Sequence, residues 1–185
     1  MGRDSIGVTT PSDLLPISHL ILPGVGSFAS AMEKLKSRQL IDPIRTFAKE
    51  GKPILGICLG MQLLGTRGTE GGSCAGLDLV PGRIELMRPR GEGLRIPHIG
   101  WNEACQKYKH PIFKGVRDKV DFYFVHGYRF YAEHEEHILA ETEYGEWFPS
   151  VIGFRNIVGA QFHPEKSQSN GIRLLENFCV WDGQC

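Results

Sequence analysis

One cysteine in this chain stands where chemistry is easiest to build: Cys58, between two glycines in Gly56-Ile57-Cys58-Leu59-Gly60. A thiol reacts as its thiolate, so such a residue needs a base, and the base needs a partner to hold its tautomer. Of the seven histidines, His163 is the best placed. It follows an apolar run, precedes Pro164, and has Glu165 two residues on. In extended geometry residues i and i+2 face the same side, so imidazole and carboxylate share one cleft. His126 lies in an apolar run with no carboxylate at that spacing. His134-Glu135-Glu136-His137 departs from H-E-x-x-H, lies in a polar stretch, and is not assigned a metal. His19, His98 and His110 have no acid beside them and read as structural or exposed. The competing reading of Cys58 is a buried structural cysteine at a strand end.

The elements around Cys58 favour the reactive reading. Residues 52–65 (KPILGICLGMQLLG) pass from an apolar run, Ile54 to Ile57, into a stretch with no turn residue after Gly60. A buried strand followed at once by a helix puts Cys58 on a sharp turn, the mechanics of a G-x-S-x-G nucleophile elbow with sulfur in place of oxygen. The flanking glycines let the backbone turn and a substrate approach. The helix N-terminus is expected to lower the thiol pKa and to offer N–H groups to an oxyanion.

Elsewhere the pattern alternates strand and helix. Residues 5–10 read as one strand, 11–14 as a helix-like turn, and 19–22 as a second strand running into the glycine loop Pro23-Gly24-Val25-Gly26. Residues 28–50 are helical, broken at Pro43. This alternation predicts a parallel sheet with crossover helices. Residues 65–76 hold five glycines and read as a mobile surface loop in which only Glu70 stands out. Strands follow at 80–86, 121–131 (DFYFVHGYRFY), 138–142, 150–154 and 157–162, those at 138–142 and 150–154 reading as antiparallel, with a short ordered piece at 96–102. Turns are expected at Tyr144-Gly145 and Gly153. A closing helix, 171–178, places Ile172, Leu175 and Phe178 on its apolar face, and the tail from Cys179 reads as frayed.

Composition narrows the class. The 185 residues suit one domain, 1–185, and 21 basic residues balance 21 acidic ones, which speaks against nucleic acid as a partner. No apolar run approaches a membrane span, and no apolar segment follows Met1-Gly2-Arg3-Asp4 as a secretory leader requires. The five cysteines, Cys58, Cys74, Cys105, Cys179 and Cys185, are scattered without a C-x-x-C pair. That pattern suits reduced thiols in the cytoplasm, with neither a disulfide framework nor a zinc site.

Three motifs taken together, GICLGMQ, LPGVGSF and QFHPEKS, resemble the class I (triad) glutamine amidotransferases. PHIGWN, FYFVHGY and the TEYGE-x-F stretch narrow the resemblance to the glutaminase subunits of imidazole glycerol phosphate synthase, over about residues 5–178. It implies the α/β three-layer fold of that class: a mostly parallel central sheet flanked by helices, plus a small antiparallel sheet. It implies hydrolysis of L-glutamine to glutamate and ammonia through a Cys58 thioester, with His163 as base and Glu165 orienting it, and no cofactor. The oxyanion would be held by the N–H of Leu59 and by the glycine loop at Gly26 or Val25. Gln62 and Glu70 match substrate-contacting positions, Glu70 suiting the α-ammonium group. His126, Gly127 and Tyr128 match the segment that cradles the α-carboxylate, with Gly127 in place of a hydroxyl residue common there. The resemblance further implies a heterodimer with a (β/α)8-barrel cyclase that receives the ammonia, as part of histidine biosynthesis. Trp101, Asn102 and Tyr123 match stretches near that interface; core packing is the other reading for Trp101 and Tyr123.

Members of the family open with a strand carrying a D-Y-G-x-G-N-like segment and a helix. This chain enters the pattern near the second strand, so the resemblance implies a domain short of that unit, which in the family lies within the sheet and whose loop helps dock the synthase partner. A paralogous glutaminase feeding another synthase, such as a surface-polysaccharide sugar amidotransferase, shares the same motifs. A catalytically impaired binding subunit is disfavoured by the presence of Cys58, His163 and Glu165 together, and nothing in the chain resembles the extended peptide groove of a cysteine protease.

Overall fold

The structure, a computed structural model, describes residues 4–184. Residues 1–3, on which part of the leader reading rests, and Cys185 lie outside the described residues. In chain order the elements are β1 (Leu20–Leu22), α1 (Phe28–Ser37), α2 (Ile41–Lys49), β2 (Ile54–Ile57), α3 (Leu59–Leu63), β3 (Arg67–Gly68), β4 (Cys74–Ala75), β5 (Gly82–Leu86), β6 (His98–Gln106), β7 (Val120–His126), β8 (Tyr128–Ala132), β9 (Ile138–Glu143), β10 (Trp147–Phe154), β11 (Ile157–Ala160) and α4 (Gln168–Val180). None of the helices is long and apolar enough to cross a membrane among the described residues.

Seven strands form one sheet in the order β1-β2-β11-β10-β9-β6-β7, and four form a second in the order β4-β3-β5-β8. The central sheet is parallel only through β1, β2 and β11; every later neighbour pairs antiparallel. The expectation of a mostly parallel sheet therefore holds for its first three strands alone. The cause is visible in the connections: β2 reaches β11 only after the whole antiparallel half has been laid down, and no α-helix lies between β5 and β11, only the short 3-10 turns at Pro111–Phe113 and Glu135–His137. The small sheet is likewise mixed, with β3 and β5 parallel.

Strand β2 is buried on both faces, as its unbroken apolar run requires. Ile54 packs with Phe28 and Met32 of α1 and with Ile44 and Phe47 of α2. Its neighbour Leu55 belongs to the opposite layer, with Phe162 and with Leu174 and Phe178 of α4. Each such side chain, fully buried, contributes about 1.5–3 kcal/mol. The result is three layers: helices and the small sheet on one side, the central sheet, then α4 on the other.

Several local expectations are corrected. Residues 5–9 form no strand; the Asp13 carboxylate instead captures the N–H groups of Thr9 and Thr10 at 2.9 and 2.8 Å and starts the 3-10 turn Pro11–Leu14. The helical break falls at 38–40, where Gln39 takes a positive φ of 56°. Pro43 sits in the first turn of α2, where its missing N–H costs nothing. The glycine-rich stretch 65–76 is not a bare loop, since it contributes β3 and β4. The run 121–131 is two strands, parted at Gly127 and belonging to different sheets. Gly153 lies within β10 rather than in a turn. In α4 the inward residues are Leu174, Leu175 and Phe178, while Ile172 is exposed. As far as it is described, the tail is not frayed: Trp181 is buried, and its carbonyl takes a 2.8 Å hydrogen bond from His19 Nε2.

Candidate active site

Three loops leave the C-terminal ends of the parallel strands side by side, where open α/β sheets carry their ligands. The 23–26 loop follows β1, Cys58 follows β2, and His163 follows β11; the register aligns Leu22 with Gly56 and Ile57 with Ala160. Cys58 takes φ 52° and ψ −109°, a sparsely populated conformation for a residue with a Cβ. It is held there by tight packing. A Cβ on Gly60 would lie 1.7 Å from the Leu22 carbonyl oxygen, and one on Gly56 would lie 2.6 Å from the backbone of Gly60 and Met61. The two glycines thus admit backbone, not substrate. The Cys58 N–H donates to the Ala160 carbonyl at 2.8 Å, tying the turn to β11.

The thiol is buried and its pKa is pushed up to about 11, above all by burial. The Leu59 N–H pulls the pKa down, the Glu165 and Glu70 carboxylates push it up, and Lys166 pulls it down. The expected lowering by a helix N-terminus does not win, because α3 is only five residues long and the sulfur is desolvated. The Cys58 Sγ–H donates to the Val125 carbonyl at 3.6 Å, and Gln161 Nε2 donates to Sγ at 3.8 Å. Among the described residues no hydrogen bond joins Sγ to His163.

His163 Nδ1 is 2.8 Å from Glu165 Oε1. The contact does not arise from an extended strand: Pro164–Lys166 is a 3-10 turn, and the turn itself folds the carboxylate back onto the ring. The backbone of His163 is fastened twice. Its N–H donates to the Tyr123 carbonyl at 2.9 Å, and its carbonyl accepts from Ser167 Oγ at 2.6 Å. Ser167 Oγ also accepts from the Tyr123 N–H at 3.0 Å.

Around this centre the remaining expected residues divide. Gln62 is buried beside it and donates from Nε2 to the Tyr128 carbonyl and to Gln161 Oε1, each at 3.1 Å. Glu70 Oε2 accepts from the Phe28 N–H at 2.9 Å and so caps α1. Gly24 abuts Leu59 and the Gly60 N–H, Val25 is exposed, and Gly26 takes φ +104°. His126 is not open to a carboxylate: its Nδ1 donates to the Tyr128 carbonyl at 2.8 Å, and its Nε2 meets His98 Nδ1 at 3.1 Å. Burial holds its pKa near 3, so the ring is neutral. The Gly127 carbonyl accepts from the Met87 N–H at 2.9 Å. Trp101 is 48% exposed and meets Tyr123 edge-on at 5.9 Å, across the β6–β7 pair. That exposure excludes ordinary core packing for Trp101. Asn102 Nδ2 donates to the Glu143 carbonyl at 2.9 Å and reaches toward His98 Nε2 at 3.5 Å. Arg90, Trp101, Asn102 and Tyr144 line one shallow depression. His134 and His137 meet ring to ring at 5.1 Å, and no cluster of three metal-ligating side chains occurs among the described residues.

A family profile described as glutamine amidotransferase class-I matches residues 9–181. The chain is 45% identical over 181 residues to the imidazole glycerol phosphate synthase subunit HisH of Desulfitobacterium hafniense, spanning 98% of this chain and 84% of that one. It is 47% identical over 171 residues to the subunit of the same name from Wolinella succinogenes, spanning 91% and 83%. The chain is a class-I glutamine amidotransferase of the HisH family. A crystal structure of a glutamine amidotransferase shares the fold at TM-score 0.72, with 18% identity over 97% of this chain and 88% of that one.

Two features of this HisH-family site escape a reading of the sequence. Gln161, fully buried beside Sγ, shows in the sequence only as one polar residue in the apolar run IVGAQF. The His98–His126 pair shows no sequence signal, since it forms through the antiparallel register of β6 and β7, 28 residues apart.

Proposed function

We propose that this chain is the glutaminase subunit of an imidazole glycerol phosphate synthase, hydrolysing L-glutamine and passing ammonia to a (β/α)8-barrel cyclase in histidine biosynthesis. The observation that carries the reading is the strained Cys58 turn beside the paired His163 and Glu165, in a chain 45% identical to HisH subunits over nearly its whole length.

In the reaction the Cys58 proton passes to His163 Nε2, and the thiolate attacks the side-chain amide carbon of glutamine. Before this, the sulfur must leave the Val125 carbonyl. The tetrahedral oxyanion is taken by the Leu59 N–H and by the glycine loop at Gly26, with Val25 as the next donor; one donor of this kind is typically worth about 3–4 kcal/mol. His163 then protonates the departing nitrogen, and ammonia leaves. Water, deprotonated by His163, opens the thioester, releases glutamate and restores the thiol. Glu165 holds Nδ1 and stabilises the imidazolium at both stages. Glu70, through the carboxylate oxygen that does not cap α1, suits the substrate ammonium, and the Oε1 of Gln62 completes the contact. The backbone of Gly127 and Tyr128, not the spent ring of His126, suits the α-carboxylate. The exposed face of Trp101, with Asn102 and Tyr123, suits the cyclase.

The test is glutamate release from glutamine with and without a histidine-pathway cyclase and its ribonucleotide ligand. Strong stimulation that vanishes in Cys58→Ala is the expected result. A folded protein that stays inactive with that cyclase would overturn the pairing.

A further inference from the structure

The amide of Gln161 sits against the sulfur of Cys58 in a way that the chemistry above does not use. In the resting site the Cys58 thiol donates to the Val125 carbonyl. Once ionised, the sulfur has no proton to donate and faces the negative end of that carbonyl dipole. A buried thiolate is costly unless hydrogen-bond donors meet it. The Leu59 N–H already favours the charged sulfur, but it is the same N–H that the tetrahedral oxyanion needs, so a second donor to Sγ is called for. Gln161 is the one side chain among the described residues that donates to it, at 3.8 Å. That is long, as suits a neutral thiol, which is a weak acceptor. Bonds to an ionised acceptor are shorter and about twice as strong.

The sense of the Gln161 amide follows from the network alone. The Tyr128 carbonyl can only accept, so the Gln62 group facing it must be Nε2. The second Nε2 proton of Gln62 then meets Gln161 Oε1. With its oxygen turned toward Gln62, Gln161 presents Nε2–H to the sulfur. The same Tyr128 carbonyl also accepts from His126 Nδ1 at 2.8 Å, so both of its lone pairs are engaged and Gln62 is pinned. Both amides are buried, Gln161 completely, which keeps water from taking over the role.

We propose that Gln161 is a further catalytic residue of this site: its Nε2–H stabilises the Cys58 thiolate, and Gln62, held by the Tyr128 carbonyl, fixes the amide in the donating orientation. The inference rests on Cys58 being the nucleophile, and its test reads the thiol directly, without glutamine.

The test is the rate of Cys58 alkylation by iodoacetamide across pH 7–10, resolved from the other cysteines by peptide mass spectrometry. It compares the wild type with Gln161→Met, which keeps volume without a donor, and with Gln62→Met, which keeps Gln161 but frees its orientation. Loss of a hydrogen bond to the charged form is expected to displace the Gln161→Met profile upward by about one pH unit, making alkylation about tenfold slower at a given pH. Gln62→Met shifts the same way by less, about threefold, because a freed amide still donates part of the time. A purely structural amide predicts the reverse, since a loosened, better hydrated thiol ionises more easily and reacts faster. Variants that alkylate at or above the wild-type rate would overturn the proposal. Should Gln161→Met fail to keep its near-ultraviolet circular dichroism, Gln161→Leu and the Gln62→Met profile decide. A wild-type protein whose Cys58 alkylates normally but which releases no glutamate with the cyclase present would instead count against the glutaminase reading, not against the role of Gln161.

Discussion

Glu165 Oε1 accepts a hydrogen bond from His163 Nδ1 at 2.8 Å, across a 3-10 turn that holds the two residues together whatever the rest of the site does. Because a carboxylate only accepts, Nδ1 carries the proton and Nε2 is left as the base. Replacing the carboxylate by an amide lets the side-chain NH2 turn to Nδ1, which favours the wrong tautomer. In a serine protease, where the acid is buried, that change lowers kcat by about 10⁴. Glu165 is 47% exposed at its side chain, and screening reduces its worth. Glu165→Gln is therefore expected to lower kcat of the partnered enzyme by about 10²-fold with little change in KM. Steady-state glutaminase assays decide it; an unchanged kcat removes Glu165 from the mechanism.

The Cys58 pKa of about 11 makes a second prediction. At pH 8 only about one thiol in a thousand is ionised, so alkylation of the isolated chain is expected to be slow and to rise about tenfold per pH unit. Stability follows the same equilibrium with a definite sign. An unfolded cysteine ionises from about pH 8.5, whereas the folded one stays neutral until about 11. The stabilisation is full below pH 8.5 and is lost as pH rises through 11. Thermal unfolding of the wild type against Cys58→Ala between pH 7 and 10 checks this, the wild type losing more than the variant. Parallel curves would show that the buried sulfur is not what titrates.

How much of this site could be seen in the sequence depends on chain distance. Cys58 with its glycines, and His163 with Glu165, are local patterns, and their placement at the ends of adjacent parallel strands follows from apolar runs that read as strands. The reasons attached to them fared less well. Glycines expected to admit substrate admit the Leu22 backbone, and the short α3 does not depress the thiol pKa. The antiparallel pairing of 138–142 with 150–154 was legible from the turn between them. The antiparallel pairing of β6 with β7 and β9 was hidden, because no α-helix or tight turn links those runs to set their direction. The division of residues 121–131 between two sheets hangs on Gly127 alone, which composition cannot tell from a bulge. Gln161 and the histidine pair were invisible because each acquires its partner through register across the sheet.

That histidine pair carries an acid liability. Burial holds His98 near pKa 4 and His126 near 3. His98 is stacked on Phe124 and Tyr144, and His126 lies against Phe148 with His163 adding repulsion. In the unfolded chain both histidines ionise near 6.5. Their folded pKa values are depressed, so the stabilisation is present above pH 6.5 and is lost as pH falls through 4. A loss on the order of 2 kcal/mol for each histidine, or roughly 4–8 °C in Tm apiece for a chain of this size, is expected between pH 7 and 4.5. His98→Phe is expected to flatten that part of the Tm profile. If the variant and the wild type lose stability in parallel, carboxylates elsewhere are responsible.

The close approach at Gly60 gives the sharpest stability prediction. A methyl group there would sit 1.7 Å from the Leu22 carbonyl oxygen, inside van der Waals contact with backbone that cannot rotate away. Relief requires β1 and the Cys58 turn to part, which breaks the alignment of the 23–26 loop with Leu59. Gly60→Ala is therefore expected to cost about 3 kcal/mol or more and to depress kcat in whatever folds. Gly26→Ala is the control: nothing lies within 4 Å of its would-be Cβ, yet its φ is +104°. Backbone strain of that kind costs about 1–3 kcal/mol and leaves the sheet intact. Urea unfolding of the two variants separates steric exclusion from strain. Equal losses would mean that β1 yields at Gly60 and that the turn is less rigid than its packing implies.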